Sequence, residues 1–88
     1  MKILTNAFAG TLESSDAYVE VTPADGLEIT LDSVVENQFG DSIRRSVREV
    51  LEEHGVTDAD VRVVDRGALD CVIRARVETA ILRGKGEA

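Results

Sequence analysis

The apolar residues of this chain recur at every second position within residues 17–32 and at helical spacing in the stretch that follows, and this change of period constrains the fold most. Strict alternation in residues 17–22 and 27–32 predicts two half-buried strands. The residues between them, Pro-Ala-Asp-Gly at 23–26, are typical of a tight reversal, because proline presets φ and glycine supplies a positive φ. We therefore predict a β-hairpin over residues 17–32.

A long amphipathic helix is predicted after the hairpin. Ser33 and Glu36 have the spacing of a capping box at its start, whereas Asp41 offers a later first cap, which the glycine before it favours. His54 and Gly55 end the helix, since glycine commonly takes the left-handed position there. Charged side chains occupy one face, and the opposite apolar stripe consists of Phe39, Ile43, Val47, Val50 and Leu51.

A third strand and a second helix complete the pattern. Residues 60–65 predict the strand, and the helix follows Gly67, with Asp70 and Arg74 as a favourable pair four residues apart. The order ββαβα indicates a small two-layer α+β domain, in which the hairpin and the third strand form a sheet with two helices on one face. The strands that flank the first helix are expected to run parallel. The second apolar stripe consists of Leu69, Ile73, Val77, Ala80 and Ile81.

Length and charge limit the classes of function. Eighty-eight residues allow one domain, residues 1–88, in which we expect 1–16 to be a flexible segment and 84–88 a disordered tail. Seventeen acidic against ten basic residues give a net charge of −7, which argues against binding to nucleic acid or to an anionic membrane. A single cysteine excludes an internal disulfide, and no apolar run reaches the ~20 residues of a spanning helix. These features predict a cytoplasmic protein.

Few residues are available for catalysis or for metal binding. His54 is the only histidine and lies at the predicted end of a helix, where the helix dipole favours an imidazolium. Cys71 lies at the edge of the second apolar stripe, as expected of a structural core or boundary residue. Asp58 and Asp60 flank an alanine and are expected to be solvated, so no metal site is predicted. The glycine motifs that bind phosphate are absent from the sequence.

Two adjacent serines, Ser14 and Ser15, precede the first predicted strand among small and acidic residues. A solvated turn explains them, since serine and aspartate side chains bond nearby backbone groups. The same position suits a serine that is covalently modified, because such a residue must be accessible and lie beside rigid structure. The residues by themselves leave both interpretations open.

The segment around these serines resembles the prosthetic-group segment of citrate lyase acyl carrier proteins, the gamma subunits of that complex. Three ordered stretches carry the resemblance over nearly the whole chain: AGTLESSD at 9–16, VENQFGDSIR at 35–44 and GALDCVIRARVE at 67–78. It implies that Ser14 carries a 2'-(5''-phosphoribosyl)-3'-dephospho-CoA group through a phosphodiester bond. Ser15 is the neighbouring alternative. A small residue such as glycine often follows the modified serine in the family, and this favours Ser14.

The resemblance also implies a carrier that is not itself catalytic. The thiol of its group would carry acetyl and citryl thioesters between the alpha (transferase) and beta (lyase) subunits, as citrate is cleaved to acetate and oxaloacetate. A prosthetic-group transferase would attach the group. The charge of −7 suits docking on basic patches of these partners, and Glu13 and Asp16 are the first candidates for such contacts.

Several alternatives stay open at this point. An acyl carrier of malonate decarboxylase or of citramalate lyase would use a similar group with a different acyl chain. The chain departs from ordinary fatty-acid carriers, because no Asp-Ser-Leu motif begins a helix. An acidic adaptor without a prosthetic group would bind a partner through the uncovered face of the sheet. A small hydrolase built on Ser14 and His54 would be active as the isolated chain.

Overall fold

The fold is that of a computed structural model, which describes residues 2–86. Its elements in chain order are β1 (Ala7–Gly10), β2 (Ala17–Thr22), β3 (Leu27–Ser33), α1 (Glu36–Glu53), β4 (Ala59–Asp65) and α2 (Asp70–Gly84). The four strands form one sheet, and both helices pack on the same face of it, which confirms the predicted two-layer α+β class. No helix in the described part of the chain is long and apolar enough to cross a membrane.

The strand order is β1-β2-β4-β3, so the predicted pairing of β2 with β3 as a hairpin is wrong. β4 lies between them and pairs with both, antiparallel to β2 and parallel to β3. Residues 23–26 reverse the chain as predicted, but they must span an intervening strand, about 10 Å from β2 to β3. The Gly26 N–H donates to Asp58 Oδ1 (2.9 Å), which fixes the reversal beside the start of β4. The predicted parallel pairing of the strands that flank α1 is confirmed.

The alternating pattern does not predict β1 as a member of the sheet. β1 pairs antiparallel with β2, so that Ala9 lies opposite Val19 and Gly10 opposite Tyr18. Only four residues pair, and most of them have small side chains that give a weak hydrophobic alternation. Ile3 and Ala9 are buried in the core. The predicted flexible segment 1–16 therefore contains a strand, β1, and the loop 11–16 that connects β1 to β2.

α1 begins at Glu36, about one turn before Asp41, so the earlier of the two predicted starts is correct. The predicted capping box is not formed, because no side chain caps the helix. The Ser33 hydroxyl is used elsewhere: it donates to Asp65 Oδ2 (2.8 Å) and accepts from the Val35 N–H (3.1 Å). The start of α1 is therefore fixed to the end of β4 through a buried carboxylate.

The apolar stripes of both helices form the core against the valines of β2 and β4, with one exception in each stripe. Phe39 is 52% exposed and Leu69 is 72% exposed, although each was expected to be the first buried residue of its stripe. Both lie near the start of a helix, at the same end of the sheet. Two large apolar side chains are therefore left uncovered close together.

The segment before β1 and the end of α2 meet at the other end of the sheet. Gly84 is the last residue of α2 and is buried, and its carbonyl accepts the N–H groups of Leu4 (2.9 Å) and Thr5 (3.1 Å). The predicted tail 84–88 therefore begins inside a packed helix. Residues 87–88 lie outside the described residues. At the C-terminus of α1 the prediction is confirmed, since Gly55 takes a φ of +67°.

Candidate functional site

The loop that carries both serines lies at the end of the sheet where both helices begin. β3 and β4 run parallel and finish together at Ser33 and Asp65, and each is followed by a helix. Because β2 is antiparallel to β4, its first residue, Ala17, pairs with Asp65. We call this end of the molecule the serine end, and the connections that meet there are 11–16, 34–35 and 66–69.

Ser14 lies at the tip of the loop, in a four-residue turn. The Asp16 N–H donates to the Glu13 carbonyl (3.2 Å) and closes the turn. Ser14 is exposed, and its hydroxyl has no hydrogen-bond partner within residues 2–86. The hydroxyl is therefore accessible to a macromolecular reagent that approaches from solvent.

Ser15 differs from Ser14 in both conformation and contacts. Its φ is +66°, in the left-handed region that favours glycine. Among residues 2–86, Ser15 is the one residue other than glycine whose φ is positive. Its N–H donates to the Arg66 carbonyl (2.8 Å), so its backbone is held against the connection between β4 and α2. A glycine would take this conformation without strain, which gives a conformational reason for a small residue after the modified serine.

Asp16 fastens the loop to α2. Arg76 Nε and Nη2 donate to Oδ1 and Oδ2 of Asp16, each at 3.1 Å, in a bidentate pair. The Thr11 hydroxyl donates to Oδ2 (2.6 Å) and the Ala17 N–H to Oδ1 (2.7 Å). These bonds, that from Thr11 foremost, lower the pKa of Asp16 from 3.8 to about 2. Asp16 was a candidate for docking on basic partners, but its charge is already balanced by Arg76.

The connection between β4 and α2 holds the loop through backbone hydrogen bonds. The Arg66 carbonyl accepts from Ser15, and the Arg66 N–H donates to the Asp16 carbonyl (3.0 Å). Asp65, 1% exposed, holds this connection in shape: its carboxylate accepts from the Ser33 hydroxyl and from the two backbone N–H groups that follow Arg66 (3.1 and 2.9 Å). Both oxygens of this buried carboxylate therefore accept hydrogen bonds, and two of the three bonds fix the backbone that follows Arg66.

Gly10 allows the loop to leave β1 at close range. Its φ is +93°, and a Cβ atom placed on it would lie 1.9 Å from the Ala17 carbonyl oxygen and 3.1 Å from Arg76 Cδ. No other residue fits at this position without displacing backbone. The chain can thus turn tightly beneath the side chain that binds Asp16.

The other candidate residues lie away from this site or are differently placed than expected. His54 ends α1, whose 18 residues separate it from the serine end by about 27 Å, and its Nε2 is 3.8 Å from Glu78 Oε2. A Ser14–His54 pair is therefore not formed. Cys71 is exposed, so the expectation of a core or boundary cysteine is wrong. Within residues 2–86, no group of three or more His, Cys, Asp and Glu side chains could hold a metal ion.

A phosphodiester-linked group fits the surroundings of Ser14. Ser14 is exposed, and its hydroxyl has no hydrogen bond within residues 2–86 that a substituent would break. The Arg66 side chain is exposed next to the loop, and it has no ion-pair partner within the described residues. A guanidinium is well suited to balance the charge of a phosphate.

These features define a class of protein: a small carrier domain that presents exposed serine hydroxyls on a fastened loop. Residues 4–84 match the acyl carrier family model described as malonate decarboxylase delta subunit (MdcD). Acyl carrier proteins of this family carry a prosthetic group.

Similar proteins narrow the class. Citrate lyase acyl carrier proteins of Haemophilus influenzae (strain PittEE) and Vibrio cholerae serotype O1 (strain M66-2) are each 55% identical, over 99% and 94% of this chain and 92% and 87% of their own length. That of Serratia proteamaculans (strain 568) is 52% identical over 94% of this chain and 83% of its own. The chain belongs to the citrate lyase acyl carrier protein family.

A solved structure supports the fold. A chain of a Pseudomonas malonate decarboxylase hetero-tetramer, crystallised in complex with malonate, superposes with a TM-score of 0.82 and covers 94% of this chain and 87% of its own. The sequence identity is 20%, so this likeness shows the fold alone.

Proposed function

We propose that this chain is the acyl carrier subunit of a citrate lyase and that Ser14 carries 2'-(5''-phosphoribosyl)-3'-dephospho-CoA through a phosphodiester bond. The observation that carries the proposal is the state of the Ser14 hydroxyl, which is exposed and unpartnered within residues 2–86 on a loop whose flanking backbone is fastened. The identity of 52–55% to carriers of citrate lyase supports the choice of complex.

Contacts within the chain support the proposed point of attachment, because they hold the loop that carries it. The Asp16–Arg76 pair and the two backbone bonds to Arg66 hold the loop directly after Ser14, while Ser14 itself takes part in none of them. When bound, the group supplies a thiol for acyl transfer between the alpha and beta subunits. A rigid attachment point with a long tether raises the local concentration of that thiol to the millimolar range at any site it reaches.

We further propose that the chain does not catalyse acyl transfer by itself. Ser14 lacks a basic partner, and the single histidine lies at the far end of α1. General-base activation of a serine needs a base within hydrogen-bond reach of its hydroxyl. Catalysis would then belong to the subunits on which the carrier docks.

The attachment is tested by intact mass after co-expression with the prosthetic-group transferase. The wild-type chain is expected to gain the mass of one group, and Ser14→Ala is expected to gain none. Ser15→Ala is the matched control, because it removes a hydroxyl one residue away, and it should keep the adduct. An adduct on Ser14→Ala, or its loss from Ser15→Ala, would contradict the assignment of Ser14.

A carrier of malonate decarboxylase is the second candidate, since the family model that matches residues 4–84 is described by that enzyme's delta subunit. Reconstitution separates the two. The modified chain should restore citrate cleavage to citrate lyase alpha and beta subunits, and should not restore decarboxylation to malonate decarboxylase that lacks its carrier. Citramalate offered to the first mixture tests the citramalate lyase alternative.

A further inference from the structure

An apolar groove of about 340 Å³ opens at the serine end, between the starts of α1 and α2. Phe39 and Leu69, 52% and 72% exposed, form its rim. The remaining apolar lining is deeper and includes Val35, Ile43 and Ile73. An exposed apolar groove of this kind on a small acidic domain indicates a binding site.

The two carboxylates of the groove wall already accept hydrogen bonds within the fold. Asp65 accepts three hydrogen bonds, from the Ser33 hydroxyl and from two N–H groups of the following backbone. Asp70 accepts hydrogen bonds from the Ser46 hydroxyl and from Arg74 Nε (2.8 Å). What the groove offers to a ligand is therefore chiefly apolar surface, and its ligand should be an uncharged, flexible chain.

The groove begins close to Ser14. Ser15 is hydrogen-bonded to Arg66, and Gly67, the next residue, lines the groove. At about 3.8 Å per residue, this path from Ser14 to the groove is on the order of 10 Å. A group attached to Ser14 can therefore reach the groove without crossing any other part of the molecule.

We infer that the groove is a resting site for the uncharged pantetheine part of the arm attached to Ser14, with Phe39 and Leu69 as its walls. The inference rests on the proposed attachment at Ser14. The anionic phosphates of the arm stay outside, at the exposed side of the loop near Arg66. Because the arm is tethered, an effective concentration in the millimolar range is enough to occupy even a weak site.

The other occupants fit less well. A second copy of the chain would bring two net charges of −7 together around a small apolar patch, which opposes association. A partner subunit would have to compete for the groove with an arm that is tethered beside it and therefore present at a higher effective concentration. Each of these occupants predicts a different outcome in the experiment below.

The test measures the accessibility of the arm thiol. The chain is modified by the transferase in a Cys71→Ser background, so that the arm holds its only thiol, and the mass of the adduct is verified first. An aromatic disulfide reagent is expected to react at least threefold more slowly with this thiol than with free coenzyme A. Leu69→Asn and Phe39→Asn should each restore the faster rate. Leu69 precedes α2 at an extended capping position (φ −67°, ψ 155°), where asparagine is favoured, so the variant should fold.

Leu4→Asn is the matched control. Leu4 is 69% exposed, close to the 72% of Leu69, but it lies beside Gly84 at the opposite end of the sheet. This variant should keep the wild-type protection. The inference is overturned by a thiol that reacts at the rate of free coenzyme A, or by protection that survives both groove variants. It is also overturned by protection that requires added subunits or that grows with chain concentration. Absence of the adduct mass would overturn the proposed function itself, and the inference with it.

Discussion

Arg76 on α2 grips the carboxylate of Asp16, 60 residues earlier in the chain, with two hydrogen bonds of 3.1 Å. Asp16 is 16% exposed and Arg76 is 39% exposed, so the pair is partly shielded from solvent. The pair joins the loop of Ser14 to α2, the helix whose apolar face packs in the core. The rigidity of the proposed attachment point therefore depends on two side chains that are far apart in the sequence.

The pH dependence of stability should report on Asp16. Its pKa is 3.8 without the fold and about 2 within it, so the folded state favours the ionised form. The contribution is complete above pH 4 and is lost as the pH falls towards 2. Asp16→Asn should lower the free energy of unfolding by about 1–3 kcal/mol at pH 7, through weaker bonds to Arg76 and Thr11.

Chemical denaturation of both proteins at several pH values between 2 and 7 checks this. The pKa values of Asp58 and Asp70 are also lowered, by a backbone and a serine hydrogen bond respectively, so the two proteins must be compared with each other. Their difference should shrink towards acid pH. Asp25→Asn, at an exposed turn, is the control and should show no such difference. A constant difference for Asp16→Asn would contradict the prediction.

Gly10→Ala should destabilise the protein by about 2–4 kcal/mol. The new methyl group would lie 1.9 Å from the Ala17 carbonyl oxygen, and φ is +93°, so a clash adds to the conformational strain. Gly26→Ala separates the two effects, because Gly26 has a φ of +81° and nothing within 4 Å of a new Cβ. It should cost only the left-handed penalty, about 1–2 kcal/mol. Equal losses in urea denaturation would show that the close approach to Ala17 is unimportant.

Ser15→Gly should stabilise the protein slightly. It removes the left-handed penalty of about 1–2 kcal/mol, against about 0.5–1 kcal/mol for the greater entropy of glycine in the unfolded chain, which leaves a gain of about 0.5 kcal/mol. Modification by the transferase should be retained, as read by intact mass. Ser15→Val, with a β-branched residue at the same φ, should lose stability, and a stable valine variant would refute the conformational argument.

Asp65→Asn should cost about 1–3 kcal/mol, because the amide oxygen can keep the two backbone N–H groups but its NH2 then faces the Ser33 hydroxyl, which needs an acceptor in this buried site. Asp60→Asn is the control on the same strand, and its exposed side chain should change the free energy of unfolding by less than about 0.5 kcal/mol. Calorimetry of the two variants measures the contrast. Hydrogen exchange should also show the backbone after Arg66 opening in Asp65→Asn alone.

Periodicity predicts three of the four strands and both helices, because each of these buries one face against the core. It fails for β1, whose four residues are short and partly small, and for the partner of β2, because β4 is inserted from a point more than 30 residues later. The turn residues at 23–26 show that the chain reverses, but they do not show whether another strand lies between β2 and β3.

The site was predicted only in part. Ser14 stands out through the family resemblance, and its exposure is consistent with the role implied. The residues that fasten its loop were not found, because Asp16 and Arg76 are 60 residues apart and Asp65 reads as the end of an ordinary strand. Gly10 carried the clearest overlooked signal: a glycine at the edge of a small-residue segment often marks a positive φ or a close approach.

The meeting of the segment before β1 and the end of α2 at Gly84 has a practical consequence. Leu4 and Thr5 share its carbonyl, and a Cβ atom on Gly84 would lie 2.8 Å from Val21 Cγ2, so these segments lie at the opposite end of β2 from Ala17. A fluorophore, an affinity handle or a sensor surface joined near residue 2 or 86 would point away from Ser14. The transferase should therefore still attach the prosthetic group to immobilised carrier, and a lyase should still accept its acyl group. Single turnovers of one tethered molecule then become observable.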